Sequence, residues 1–307
     1  MAHRDKSIIV GLAGNPNSGK TTIFNNLTGA NQHVGNFPGV TVEKREGHFN
    51  YRGYRVTVID LPGTYSLSAY SVEEIIARNF IIHEKPDVII DIIDASNIER
   101  NLYLTTQISE LGLPLVLALN MSDMAKNSGL MIDYNYLSKL LGLPVIPTVG
   151  NKNKGMTELL DAVIDLVENG SELEPATVKY GKEFDKETSQ LTELMAKDPQ
   201  TINGYKEDWL SLKLIEDDSE VNKLISRHSH ADDIFERAAK SRRRLKSLYG
   251  DEPSAVITDR RYGFISGACS EATSMTAERR HDVSDTIDYL LIHPVLGLPV
   301  FAILMWL

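Results

Sequence analysis

Apolar residues form short, nearly continuous runs in the first half of the chain and recur at helical intervals in the second. Residues 8–13, 87–94 and 115–119 are apolar stretches that each end in a polar or glycine-rich turn. Such runs read as strands of a mainly parallel sheet, with 87–94 as a buried central strand. Residues 47–51 and 54–59 flank the turn Arg52-Gly53 and predict an antiparallel hairpin at the sheet edge. Helices are predicted over 20–27, 71–82, 97–111 and 155–167. This alternation predicts an α/β domain over residues 1–170, with its ligand site at the carboxyl ends of the strands.

Past residue 171 the texture changes. Residues 172–175 read as a linker and 171–270 as a small all-α domain. Tyr205, Trp209, Leu212 and Ile215 mark one apolar stripe, and Ile234, Ala238, Leu245 and Leu248 another. Ser229 with Asp232 predicts a helix start. Arg242-Arg243-Arg244 reads as a solvated helix face, with contact to an anionic membrane as the alternative. Residues 271–307 form a third part. Its last stretch, 289–307, is an uncharged apolar run close to the ~20 residues that span a bilayer. The run contains Pro294 and Pro299, which membrane helices accommodate better than soluble ones.

The chemistry sits in the turns after the apolar runs. Gly14-Asn15-Pro16-Asn17-Ser18-Gly19-Lys20-Thr21 follows the first run and leads into a helix, the context of a phosphate-binding loop. Its backbone N–H groups and the helix start would grip a polyphosphate, Lys20 would reach the outer phosphates, and the Thr21 hydroxyl would hold Mg²⁺; Thr22 extends this set. Asp60-Leu61-Pro62-Gly63 ends the strand after Tyr54. Asp60 there can support Mg²⁺, and Gly63 lets its amide approach a γ-phosphate.

Asn120-Met121-Ser122-Asp123 ends the next run and selects the base. The Asp123 carboxylate can accept from N1–H and the exocyclic amine of guanine, whereas adenine would oppose it with a lone pair. Such a site can reject the wrong base by roughly 10⁴-fold. Three motifs in this order, each after an apolar strand, predict a guanine-nucleotide site. Pro147-Thr148-Val149-Gly150 reads either as a plain loop or as a loose fifth motif contacting guanine through Thr148 and Val149.

These motifs, with Thr41 between the first two, resemble those of TRAFAC-class GTPases with a Ras-like fold. The phosphate loop, the stretch 34–43 (Val-Gly-Asn-Phe-Pro-Gly-Val-Thr-Val-Glu) and Asp60-Leu61-Pro62-Gly63-Thr64-Tyr65-Ser66-Leu67 resemble the FeoB family of prokaryotic ferrous-iron transport proteins. The resemblance implies a GTP- and GDP-binding domain that hydrolyses GTP slowly, Thr41 closing a switch loop of residues 33–45 onto Mg²⁺, and K⁺ held by Asn17. Thr64 stands where Ras-like proteins place a water-orienting Gln, and Met121 where many GTPases carry Lys. Asn17, Lys20, Thr41 and Gly63 are then the catalytic candidates. The resemblance further implies a helical domain that slows GDP release, a membrane domain beyond this chain, small cytoplasmic Feo partners, homo-oligomers, and a place on the cytoplasmic side of the inner membrane.

Composition narrows the rivals. A formal charge of −10 over 307 residues argues against a nucleic-acid partner, which requires a basic surface. That disfavours the alternative, a ribosome-assembly or tRNA-modification GTPase of the Era or MnmE kind. One cysteine, Cys269, precludes an intramolecular disulfide and reads as a small buried residue.

Overall fold

The computed structural model describes residues 6–171, 173–200, 202 and 204–275. Its first part is a three-layer α/β unit around a seven-stranded sheet. In chain order its elements are β1 (Lys6–Gly14), α1 (Lys20–Thr28), β2 (Gln32–Asn36), β3 (Glu43–Tyr51), β4 (Tyr54–Asp60), α2 (Val72–Asn79), β5 (Val88–Asp94), α3 (Ile98–Leu111), β6 (Leu115–Asn120), α4 (Ser122–Asn127), β7 (Leu130–Ile132), α5 (Tyr134–Leu141), β8 (Val145–Pro147) and α6 (Met156–Asn169). The sheet order is β2-β3-β4-β1-β5-β6-β8, every pairing being parallel except β2 with β3 and β3 with β4, so that β3 alone runs against the rest.

The strand runs are apolar on both faces because both faces are covered. Val88, Ile90 and Ile92 of β5 pack with α1 and α6 on one side. Ile89 and Ile93 pack with α2, α3 and α5 on the other. Helix α2 begins with a capping box: Ser71 accepts from the Glu74 amide while Glu74 accepts from the Ser71 amide. It passes into one wide turn, Phe80–Glu84, which carries the helical stretch two residues past the predicted end at 82.

The second part contains α7 (Lys182–Met195), α8 (Glu207–Ile215), α9 (Ser219–Ile225), α10 (Ala231–Tyr249) and α11 (Pro253–Ala272), then β9 (Thr273–Met275). Helices α7 to α10 enclose a core of Phe184, Leu191, Trp209, Leu214, Ile234, Ala238 and Leu245. Helix α11 serves both cores: Ile257 belongs to this one, whereas Ile265, Ala268 and the buried Cys269 pack against the sheet unit. Strand β9 returns to pair with β7.

Several expectations are corrected. The predicted switch loop is largely a hairpin, because β2 pairs antiparallel with β3, and β2 rather than the 47–59 hairpin forms the sheet edge. Leu248 is 55% exposed, off the apolar stripe. Helix α10 starts at Ala231 after His230, so Ser229 is not its cap. The arginine run is not a solvated face throughout: Arg242 donates to Leu214 O at 2.7 Å and Arg244 to Glu187 at 3.0 Å, which ties α10 to α8 and α7. The apolar run 289–307 lies outside the described residues, among which no helix is long and apolar enough to cross a membrane.

Candidate nucleotide site

Strands β1, β4, β6 and β8 run parallel and end at Gly14, Asp60, Asn120 and Pro147, so the sheet carries all the motif turns to one edge. Residues 15–19 bridge β1 and α1. The start of α1 has no side-chain cap at Gly19, so its first N–H groups are open to an anion. Asn15 and Ser18 are buried beneath the loop, and Asn15 Oδ1, Asn15 Nδ2 and Ser18 Oγ have no hydrogen-bond partner. Buried polar atoms in that condition suit a loop whose bonding is completed by a polar ligand. Pro16 and Asn17 are exposed, and Asn17 holds a left-handed φ of 67° with no side-chain hydrogen bond.

Lys20 Nζ and Asp60 Oδ1 form a close ion pair at the mouth of this loop, both side chains largely buried. Burial raises the Asp60 carboxyl above the ordinary carboxylate range, an effect the Lys20 ammonium opposes. The donor set suits a nucleotide with Mg²⁺: an ammonium and a carboxylate meet at an uncapped helix start whose first turn also carries the Thr21 hydroxyl. Thr21 and Thr22 are exposed on the first turn of α1. Thr41 is exposed in the turn between β2 and β3, and no hydrogen bond joins it to Lys20, Thr21 or Asp60. The site therefore gathers Lys20 and Asp60 and leaves Thr41 outside.

Gly63 lies against Pro16, with its Cα position leaving 3.4 Å between a would-be Cβ and the Pro16 nitrogen. Thr64 is buried, and its amide donates to Gly14 O at 3.2 Å. No side-chain amide is thus available to orient water at that position.

On the base side, Asn120 is the joint. Its Nδ2 donates to Ser18 O at 2.8 Å, and its Oδ1 accepts from the Gly150 amide at 2.9 Å and the Thr148 hydroxyl at 3.5 Å. One buried amide thereby locks the phosphate loop to the loop after β8. Met121 takes a left-handed φ of 59°, with Cε close beside Gly19. The Thr148 amide donates to Leu119 O, and Val149 exchanges both backbone bonds with Lys154. Thr148 and Val149 thus shape the loop with their amides already committed, and the Thr148 hydroxyl also holds Asn120.

Asp123 is half-buried and bonded to Lys152 Nζ at 2.5 Å, a contact that holds its carboxyl below the usual range. Sequence reasoning missed Lys152. Only its position, two residues past Gly150 in the loose fifth motif, could have drawn notice.

Comparison with known proteins places this geometry. The model of "Ferrous iron transport protein B" matches residues 8–163, and that of the "FeoB cytosolic helical domain" matches 180–274. The Fe(2+) transporter FeoB of Escherichia coli O157:H7 is 39% identical over 306 residues, covering 98% of this chain and 38% of the relative. A Porphyromonas gingivalis fusion of Fe(2+) transport protein A with the transporter FeoB is 39% identical over 304 residues, 98% of this chain and 36% of that one. The chain spans a little over a third of the length of these relatives. Among solved structures, a GDP-bound mutant of S. thermophilus NFeoB has a TM-score of 0.78 at 34% identity, covering 87% of this chain and all of that one. The GMPPNP form of the T. maritima FeoB cytosolic domain has a TM-score of 0.73 at 32% identity, covering 87% of this chain and 99% of that one.

Proposed function

The chain belongs to the FeoB family, and from that premise we propose that it binds GTP at the sheet edge and hydrolyses it to GDP and phosphate. The observation that carries this reading is the Asn120 joint, which fastens a phosphate-gripping loop to a base-selecting one. Residues 15–19, Lys20 and Thr22 bind the phosphates. Thr21, Asp60 and, once its turn closes, Thr41 would hold Mg²⁺. Asn17, exposed and unbonded, would hold K⁺. When bound, these cations supply positive charge to the β- and γ-phosphates, where negative charge grows as the bond to the leaving group breaks.

Lys20 exchanges Asp60 for phosphate oxygens as nucleotide enters. The Gly63 backbone approaches the γ-phosphate without a side chain in the way. Asn120, Met121, Asp123, Thr148 and Val149 form the base pocket. Because Thr64 is turned inward, unaided hydrolysis is slow.

In the complete protein this cycle gates or drives Fe²⁺ passage through a membrane domain, with these residues on the cytoplasmic side of the inner membrane. Iron comes from the family alone: among the described residues no group of three or more His, Cys, Asp or Glu could hold a metal. The Porphyromonas gingivalis fusion supports a small Feo partner. Family models matching both parts of the chain favour this reading over an Era- or MnmE-like GTPase.

Calorimetric titration tests the nucleotide. GDP should bind and ADP should not, and Asp123→Ala should lose the preference; equal GDP and ADP affinity in the wild type would refute the reading. Turnover in potassium should exceed that in sodium at equal ionic strength, and Asn17→Ala should remove the difference.

A further inference from the structure

Asp123 does not face an open pocket. Its Oδ1 accepts from the Met124 amide at 3.0 Å and its Oδ2 from Lys152 Nζ at 2.5 Å. Lys152 stands on a well-fastened turn, Gly150–Lys152. The Lys152 amide donates to Val149 O at 3.0 Å, the Asn153 amide to Gly150 O at 3.1 Å, and the Gly150 amide to Asn120 Oδ1. The same Asn120 that ties the two loops together therefore sets the position of Lys152. Lys154, two residues on, makes no salt bridge among the described residues.

We propose that Lys152 is a latch that limits entry to the base pocket, standing in for guanine's donors at Asp123 until the base displaces it. The inference rests on the reading of Asp123 as the guanine acceptor.

The chemistry is competitive. Guanine offers two parallel N–H donors to one carboxylate, and an ammonium 2.5 Å from Oδ2 occupies one of the oxygens they need. Its departure is easy because the Lys152 side chain is 54% exposed and its head returns to water. Only a ligand with its own donors compensates Asp123 for the loss. Opening the contact costs either base the same; guanine's donors then offset the loss at Asp123, whereas adenine places an acceptor there and offsets none of it. A pocket open for only a fraction of the time binds more slowly in proportion to that fraction. For a pair this exposed, the expected effect is roughly two- to five-fold, diminishing as salt screens the contact.

Stopped-flow binding of a fluorescent GDP analogue to the full chain tests this. Lys152→Met keeps the apolar stem and removes the ammonium; Lys154→Met controls for the general loss of attraction between lysine and phosphate. The latch predicts association two- to five-fold faster in Lys152→Met than in Lys154→Met at low salt, an unchanged dissociation rate, and a gap that closes at high salt. Equal or slower association, or faster dissociation, in Lys152→Met would overturn it. Asp123→Ala separates the two levels. If it keeps the preference for GDP over ADP, the guanine reading itself fails; if it loses that preference while Lys152→Met matches its control, only the latch fails.

Discussion

A methyl group on Gly19 would lie 2.1 Å from Asn120 Nδ2, and the residue's φ of 87° already disfavours any side chain. Gly19→Ala must therefore break the bond from Asn120 to Ser18 or distort the phosphate loop. The expected outcome is at least a tenfold loss of GDP affinity by titration calorimetry, with roughly 1–3 kcal/mol of stability lost. This glycine was legible in the sequence as part of a motif, but the reason for it lies 101 residues away and was not.

Asp91 makes the same point in the core. It is fully buried between Ile89 and Ile93, with Oδ2 bonded to the Thr105 hydroxyl at 2.6 Å and Oδ1 unpartnered. Burial pushes its carboxyl up to about 7, against the smaller opposing pull of Thr105. A folded-state pKa above the unfolded one makes the protonated form the stable one. Its contribution is complete below the unfolded value near 4 and is lost as pH rises toward 7. Asp91→Asn should therefore become progressively more stable than the wild type across that interval, by up to about 1.4 kcal/mol per pH unit. Urea unfolding at pH 5 and pH 7.5 measures the gap, and an equal gap at both would refute the titration.

Among the elements, those with strong periodicity matched their sequence signals, and those held by a neighbour did not. Strand β5 and helix α3 follow their apolar patterns to within a residue or two of expectation. Strand β2, Gln-His-Val-Gly-Asn, has an exposed, barely alternating pattern and exists because β3 offers it a ladder. The arginines of α10 looked solvated because their partners, Glu183, Glu187 and Asp217, come from other helices and a loop distant in sequence. The buried pair Arg78–Asp218, 2.7 Å apart, joins α2 to the start of α9 in the same way. Asp218 also caps α9, accepting from the Glu220 and Val221 amides. Asp218→Ala leaves a buried guanidinium unpaired and the helix uncapped, so a loss of about 3–5 kcal/mol is expected from denaturant unfolding. Asp218→Asn keeps the cap and should lose less. Equal losses would show that the cap contributes nothing, and no loss in Asp218→Asn would show that the charge contributes nothing.

At the scale of the molecule, the two cores meet around Arg261. This α11 side chain is 1% exposed; it bonds Glu110 of α3 through two donors at 2.9 Å and Glu216 at the end of α8 at 2.7 Å. Tyr103 and Tyr180 flank the guanidinium, and Tyr262 stacks on Tyr103 at 5.0 Å. Nothing in the local pattern around Arg261 announces this hub, because its partners lie 45 and 151 positions away in sequence. Burial disfavours the Glu216 carboxylate, yet Lys213 and Arg261 outweigh it and hold the pKa below its ordinary value. A depressed folded-state pKa contributes stability above the unfolded value that is lost as pH falls through the folded one. Arg261→Met preserves much of the packing volume and removes the charge that serves both carboxylates. Glu216 would then rely on Lys213 and Glu110 on Tyr180. If the charge network makes the cores one cooperative unit, calorimetry should show one transition for the wild type and two for Arg261→Met, the α7–α10 core melting apart from the sheet unit. The variant should also lose less stability in acid than the wild type. A single transition in both proteins would assign the coupling instead to Ile257, Ile265 and Ala268, the apolar residues by which α11 enters both cores.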